Sequence, residues 1–231
     1  MRVDKMIGNA MIDTRRNIKR NAKKGALVIN GEIVKDVSTQ VDPKVDEVYY
    51  LGEFVEYFEN IYLMMNKPGG VISSTKDEDT TVIDLLDEFY QKLDLSIAGR
   101  LDKDTTGLVL LSTDGKFIHK ITSPNSNIKK TYEVQTRDPI EDSYIEAFKN
   151  GVEIKEDDYI ARPCELEIID NNKAIVKVTE GKFHLVKRLF SNLGNKVTSL
   201  KRLAIGDLKL DPYLEEGSYR ELTDEELKLF L

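Results

Sequence analysis

Two carboxylates, Asp102 and Asp104, lie two residues apart in the segment AGRLDKDTTGLVLLSTDG, which spans residues 98–115. Arg100 precedes them and an apolar run follows, so a charged loop leads directly into a predicted buried strand. A carboxylate can act as a nucleophile when a nearby cation and loop hydrogen bonds hold it ionised and in one position. The segment therefore predicts a reactive aspartate, and three chemistries could use it.

Calcium binding is the first of these. Asp102, Asp104 and the Thr106-Gly107 pair copy the start of an EF-hand loop. That loop needs a bidentate glutamate as its last ligand, and Thr113 stands at the equivalent position. The missing glutamate excludes a calcium loop.

Phosphoryl transfer is the second. DKDTT resembles the D-x-D-x-T signature of haloacid-dehalogenase-like phosphatases, in which the first aspartate is the nucleophile and the second an acid/base. In that family an apolar strand precedes the first aspartate. Here GLVLL follows the motif and SIAGRL is a poor strand candidate. This alternative stays open and predicts dependence on magnesium.

The third interpretation makes Asp102 a lone nucleophile in a turn shaped by Thr105, Thr106 and Gly107. GRLDKDTTGLVLLSTDG resembles the catalytic motif of the pseudouridine synthases of the RsuA and RluA superfamily, G-R-L-D-x-x-T-x-G-L followed by apolar residues and D-G. The resemblance implies that Asp102 is the catalytic aspartate and that Asp104 is not.

Other segments extend the resemblance along almost the whole chain. MMNKPGGVISS, KKTYEV, EGKFHLVKRLF and LEEGSYRELTDEEL are similar to further motifs of the family. They imply that Tyr132 is the aromatic face for a flipped uracil and that Lys187 is the cation paired with Asp102. One departure is Leu185, which stands where the family usually has glutamine.

The implied reaction breaks the glycosidic bond of a uridine, turns the base and rejoins it through carbon five. Such an isomerisation needs no cofactor and no metal, and the sequence has no ligand-spaced His or Cys cluster and no glycine-rich nucleotide loop. His184 is a weaker candidate for a general base, because no nucleophile lies beside it in sequence. The apolar residue that packs under the base is expected to be one of Leu200, Leu203 and Ile205, and the sequence does not choose among them.

The charge distribution indicates a polyanionic partner although the net charge is −7. Residues 1–35 carry nine basic and three acidic side chains, and residues 181–202 carry six basic and none acidic, so each segment has a net charge of +6. We expect the first segment to grip RNA and the second to line the catalytic cleft. The predicted substrate-binding residues are Arg100, Lys67, Arg188, Arg202, Arg15, Arg16 and Lys19.

Within the superfamily, DKDTTGLVLL and HKITSPNSNIKKTYEV look most similar to the RsuA branch, which is grouped with the RluB, RluE and RluF enzymes. That resemblance implies a uridine of small-subunit (16S) ribosomal RNA, free or in a partly assembled small-subunit particle. Large-subunit (23S) RNA is the alternative substrate. A non-catalytic RNA-binding factor is a third possibility, which the intact GRLD, KTYEV and HLVKR segments disfavour.

The predicted helices and strands, which must position these residues, indicate an α+β fold in two domains. Residues 1–57 read as two helices and an Asn30-Gly31 hairpin, and resemble the small RNA-binding domain first seen in ribosomal protein S-four. Residues 58–231 are expected to form the catalytic domain around a mixed, mainly antiparallel sheet. Its predicted strands are 61–66, 108–112, 131–136, 161–169 and 174–179, and its predicted helices are 82–90, 140–150 and 184–193.

The cellular setting is the last expectation from the sequence. No apolar run approaches the length of a membrane helix, and a single cysteine, Cys164, cannot form an intramolecular disulfide. These features predict a cytoplasmic protein with no membrane partner, and we expect a monomer.

Overall fold

The computed structural model describes residues 1–231, which divide into two units, Met1–Glu59 and Asn60–Leu231. The boundary predicted after residue 57 lies two residues before this division. None of the helices is both long enough and apolar enough to cross a membrane.

The N-terminal unit packs two helices on a small sheet. Ile18 and Ala22 point from the second helix into the core, and its basic residues face outward. Asn30 and Gly31 both have positive φ (51° and 84°), as a type I′ hairpin turn requires, so the predicted hairpin is confirmed. The elements are α1 (Val3–Asn9), α2 (Arg15–Lys23), β1 (Leu27–Ile29), β2 (Glu32–Ile33), β3 (Val48–Tyr50) and β4 (Glu53–Phe54), with strand order β2-β1-β3-β4.

The C-terminal unit is built on one nine-stranded sheet, which confirms the mixed, mainly antiparallel α+β fold. Its strands are β5 (Tyr62–Lys67), β6 (Ser96–Ala98), β7 (Thr106–Ser112), β8 (Lys130–Thr136), β11 (Glu165–Asp170), β12 (Lys173–Val178), β13 (Val197–Ile205), β14 (Leu208–Lys209) and β15 (Tyr219–Glu221). The order is β11-β12-β8-β13-β7-β5-β15, with β14 beside β13 and β6 beside β7. A separate hairpin is formed by β9 (Glu153–Ile154) and β10 (Tyr159–Ile160).

Short helices cover this sheet. They are α3 (Glu88–Gln91), α4 (Gly115–Thr122), α5 (Ser143–Asn150), α6 (Leu185–Asn192) and α7 (Asp224–Leu227), with a 3₁₀ turn at Lys155–Asp157. Most predicted elements are present with shifted ends. The predicted helix 82–90 is helical only in α3, because a turn at residues 81–84, closed by Thr81 and Asp84, takes up its start.

Two expectations about strands are wrong. The strand predicted at 161–169 begins only at Glu165, because Pro163 has no N–H to donate to a ladder. The segment SIAGRL, judged a poor strand, contains β6, which pairs with β7. A strand therefore does precede Asp102, so the expected lack of one is not an argument against the phosphatase alternative.

The central sheet contains one parallel pair, β7 with β13, and this pair positions the loop that carries Asp102. Gly107 lies opposite Arg202 at the start of the pair. A Cβ atom at Gly107, whose φ is +99°, would lie 2.3 Å from the carbonyl oxygen of Arg202, so only glycine allows the two backbones to approach. The Asp102 loop enters β7 directly at this close contact.

Candidate active site

A cleft of about 800 Å³ lies on one face of the sheet of the C-terminal unit. Alternate residues of β8 and β13 form its floor, because successive side chains on a strand point to opposite faces. Lys130 and Tyr132 come from β8, and Leu200 and Arg202 from β13. The loop that carries Asp102 and the turn before α6 form its walls. The volume is in the range of small-ligand sites.

Lys67 holds the Asp102 loop from below. Its side chain is completely buried, and its Nζ donates to the carbonyl oxygens of Pro68 (2.9 Å), Lys103 (3.2 Å) and Thr105 (2.8 Å). Burial lowers the pKa of Lys67 to about 8, although the charges of Asp104 and Asp102 act in the opposite direction. The donors of Lys67 are therefore occupied by backbone carbonyl oxygens that shape the loop, and its contact with substrate stays a prediction.

Arg202 has a similar place on the other side of the loop. Its side chain is 2% exposed, and its guanidinium donates to the carbonyl oxygens of Leu108 and Gly99, both at 2.7 Å. A guanidinium used in this way ties the turn before Asp102 to the floor of the cleft. The donors of Arg202 are thus engaged with backbone, as those of Lys67 are, and its role as an RNA contact stays a prediction.

Asp102 lies in the resulting turn and forms an ion pair with Lys187 of α6. The distance from Lys187 Nζ to Asp102 Oδ2 is 2.9 Å, and the same ammonium lies 2.6 Å from Asp104 Oδ1. Burial alone would lower the pKa of Lys187, but hydrogen bonds to both carboxylates raise it above its usual value. The pKa of Asp104 is lowered, chiefly by its hydrogen bond from Lys187. One cation thus serves two carboxylates.

The two carboxylates differ in exposure. The side chain of Asp102 is 22% exposed and lines the cleft, whereas that of Asp104 is 76% exposed. Thr105 Oγ1 donates to Asp102 Oδ2 at 3.5 Å, which adds a loop hydrogen bond of the kind the sequence predicts. The geometry singles out Asp102 as the carboxylate that a molecule in the cleft would meet.

His184 is the residue whose position sequence reasoning missed. Its Nε2 lies 3.4 Å from Asp102 Oδ1, on the carboxylate oxygen that Lys187 leaves free. His184 has a left-handed backbone (φ 51°) immediately before α6, and this turn carries the ring toward the cleft. The absence of a nucleophile beside it in sequence was therefore a poor guide. A histidine directly before the basic helix was the only signal available.

Tyr132 is half-buried on the cleft floor, and its hydroxyl makes no hydrogen bond within the chain. Of the three apolar residues expected to lie under a base, only Leu200 lines this cleft. Leu203 faces a groove on the opposite side of the sheet, and Ile205 belongs to a core cluster with Met64 and Leu208. Tyr132 and Leu200 therefore supply the apolar surface beside Asp102.

The remaining predicted contacts fall into two groups. Arg100 is exposed at the edge of the cleft and forms no hydrogen bond or ion pair. Arg188, in contrast, is held by Glu156 at 3.2 Å and Asp157 at 2.8 Å, so its expected role as an RNA contact is not supported by its geometry. In the N-terminal unit, Arg15, Arg16 and Lys19 are exposed on α2.

No group of three or more His, Cys, Asp or Glu side chains is arranged to hold a metal ion. The charged and polar side chains that line the cleft include two carboxylates, Asp102 and Glu180, the imidazole of His184 and several cations. This set suits an anionic ligand with a planar base.

Comparison with known proteins agrees with this geometry. Residues 61–203 match the RNA pseudouridylate synthase family. An uncharacterized RNA pseudouridine synthase of Bacillus subtilis, YtzG, is 44% identical over 99% of this chain and 98% of its own length. Ribosomal small subunit pseudouridine synthase A is 42% identical in Haemophilus influenzae, over 99% of this chain and 98% of the relative, and 38% identical in Escherichia coli K12, over 98% of both.

A solved structure supports the same assignment. A crystal structure of a pseudouridylate synthase, 41% identical, covers 100% of both chains with a TM-score of 0.71. The chain belongs to the RNA pseudouridylate synthase family. It is accordingly an isomerase, and the phosphatase and non-catalytic alternatives are set aside.

Proposed function

We propose that this enzyme isomerises one specific uridine of small-subunit (16S) ribosomal RNA to pseudouridine, acting as a cytoplasmic monomer with no cofactor. The observation that carries the chemistry is the Asp102–Lys187 ion pair beside Tyr132 in one cleft. The RNA is proposed because relatives that match nearly the full chain are named small-subunit enzymes.

In this proposal Asp102 is the nucleophile and Lys187 its counter-ion. The target nucleotide leaves the RNA stack and its uracil lies against Tyr132 and Leu200, because a base paired inside folded RNA cannot reach a carboxylate. The unengaged hydroxyl of Tyr132 faces the same cleft and is available for proton transfer at carbon five. Arg100, which has no partner in the chain, contacts a phosphate near the target.

The N-terminal unit is proposed to bind RNA. The exposed cations of α2, among them Arg15, Arg16 and Lys19, have no ion pair and suit the phosphate backbone. Because this contact is electrostatic, the choice of target follows from the fold of the RNA. The RNA is either free or in a partly assembled small-subunit particle.

The test is a map of pseudouridines in small- and large-subunit RNA from cells with and without this gene. We expect one small-subunit site to disappear in the deletion strain and to return with the wild-type gene. A site lost from large-subunit RNA instead would contradict the proposed substrate. Treating free RNA and assembling particles with the purified enzyme then shows which of the two it modifies.

A further inference from the structure

An exposed aromatic ring stands at the rim of the cleft and has no place in the chemistry described so far. Phe183 is 74% exposed, and its ring stacks on that of His184 with centroids 3.7 Å apart and an interplanar angle of 21°. His184 in turn lies 3.4 Å from Asp102. The outer face of this ring pair is therefore presented to solvent about one side chain away from the reactive carboxylate.

The ring pair does not belong to a loose loop. On one side of Phe183, Glu180 accepts hydrogen bonds from the hydroxyl of Tyr159 and from the backbone N–H of Arg162. The ammonium of Lys182 lies 3.1 Å from the centroid of the Tyr159 ring. On the other side, α6 begins at Leu185. Contacts on both sides therefore fix the segment around Phe183, and the outer face of the Phe183 ring remains exposed to solvent.

The backbone conformation of His184 helps to position the ring pair. His184 adopts the left-handed region, which is uncommon for a residue other than glycine and is found where surrounding structure enforces it. That conformation turns the His184 ring toward Asp102 while Phe183 covers its other face. The imidazole of His184 therefore lies between Asp102 and the exposed ring of Phe183.

Nucleic-acid chemistry explains what such a surface can do. When a nucleotide is flipped out, its neighbour loses a stacking partner, and this loss opposes flipping. An aromatic side chain can replace the lost partner, because every base has a face on which stacking is possible. Arg100 and Lys182, which line the same cleft, add positive charge that favours the phosphates of a bound RNA.

We propose that the Phe183–His184 ring pair is a second nucleobase site, which stacks on the nucleotide adjacent to the target uridine and so stabilises the flipped state. This inference rests on the proposed RNA substrate and concerns a neighbouring base, whereas Tyr132 receives the target itself. It requires an aromatic face at position 183, not merely an apolar side chain.

The test compares Phe183→Tyr, Phe183→Leu and Phe183→Ala in the full-length enzyme on unmodified small-subunit RNA. We expect Phe183→Tyr to keep kcat/KM within about twofold of the wild type, and Phe183→Leu and Phe183→Ala to lower it about tenfold, the scale of one lost base–aromatic contact. Tyr213→Ala is the matched control, because Tyr213 is a 92% exposed aromatic residue outside the cleft, and it should leave kcat/KM unchanged.

A second measurement separates stacking from other roles. An RNA fragment carries 2-aminopurine on one side or the other of the mapped uridine. For one of the two positions, its fluorescence in the complex should be quenched by the wild type and by Phe183→Tyr, and should recover with Phe183→Leu.

Several results would overturn the inference. Full activity of Phe183→Leu would show that no aromatic face is needed, and unchanged fluorescence at both positions would show that no neighbouring base is stacked. A loss seen only on assembling particles and not on free RNA would assign Phe183 to a protein contact. If the wild type converts no uridine in small-subunit RNA, the proposed substrate is wrong. The same variants are then compared on the RNA that the enzyme does modify, so the two failures remain distinct.

Discussion

Two segments have the same net charge, but their basic side chains differ in exposure and in ion pairing. Residues 1–35 and 181–202 each carry a charge of +6. On α2, the cations of the first segment are exposed and none forms an ion pair. In the second segment, Lys187 is shared by two carboxylates, Arg188 is held by Glu156 and Asp157, and Arg202 is buried against backbone carbonyls.

The difference shows that a basic segment has no single meaning. Cations on α2 remain available to a phosphate backbone, whereas those around α6 and β13 are mostly used inside the protein to hold a loop and a carboxylate. Removing a charge from the first segment should therefore weaken RNA binding. Removing one from the second should damage chemistry or stability instead.

Among the cations, the largest effect is expected at Lys187. Lys187→Met leaves Asp102 without its counter-ion, and we expect kcat to fall about 100-fold, the scale of one lost charge interaction in a sheltered site. Single-turnover conversion of small-subunit RNA measures this. Lys187→Arg, which keeps the cation, should lose less. An unchanged rate together with weaker binding would place Lys187 among the phosphate contacts and break the comparison.

Lys67 tests whether a buried cation of the catalytic unit is structural. Lys67→Met removes a hydrogen bond from each of three carbonyl oxygens, of which that of Lys103 still accepts from the backbone N–H of Gly70. We expect the free energy of unfolding to fall by about 3 kcal/mol. Denaturant unfolding measures the loss. A variant as stable as the wild type, but with a higher KM for RNA, would restore Lys67 as a substrate contact.

The pH dependence of stability, compared between the wild type and Lys67→Met, gives a second test of Lys67. The pKa of Lys67 is about 8 in the folded chain and lies below its ordinary value of 10.5, so the unfolded chain binds more protons between these limits. The stability of the wild type relative to Lys67→Met should therefore rise as the pH increases from 8 toward 10.5. A difference that is constant across this range would mean that burial does not affect the ammonium.

The smallest effect is expected on α2. Replacing Arg15, Arg16 and Lys19 by glutamine should raise KM about tenfold and leave kcat unchanged at saturating RNA. The dependence of log KM on log salt should weaken by up to about three, one for each phosphate contact. Steady-state kinetics at several salt concentrations measure both quantities.

The matched control neutralises three exposed lysines of the catalytic unit that lie outside the cleft, Lys92, Lys149 and Lys228. If KM and its salt dependence change equally in both triple variants, the RNA responds only to total charge. The α2 face would then have no special role.

The sequence predicted the outline of the fold and that residues from distant motifs meet in one place. Asp102 and Tyr132 come from two separate motifs and line one cleft, and Lys187 from a third motif contacts Asp102. The Asn30-Gly31 turn was predictable, because few residue pairs accept two positive φ angles. Motifs and turns of this kind can be predicted because they depend on the types of a few neighbouring residues.

Other features depended on tertiary contacts. The strand β13 reads VTSLKRLAI, which mixes polar, basic and apolar residues without regular alternation, and it was not predicted although it lies in the middle of the sheet. Lys67 and Arg202 were predicted to contact substrate, and only the folded chain shows the carbonyl oxygens to which their side chains donate. His184 reaches Asp102 through a left-handed turn that no residue pattern predicts for histidine.

The central claim is that one carboxylate of the pair Asp102 and Asp104 does the chemistry. The most direct measurement is single-turnover conversion of uridine to pseudouridine by Asp102→Asn and Asp104→Asn, with RNA binding measured in parallel. We expect Asp102→Asn to abolish conversion and to bind RNA within about threefold of the wild type, whereas Asp104→Asn stays within about tenfold in rate. Conversion by Asp102→Asn, or an equal loss from both variants, would contradict the assignment of Asp102 as the nucleophile.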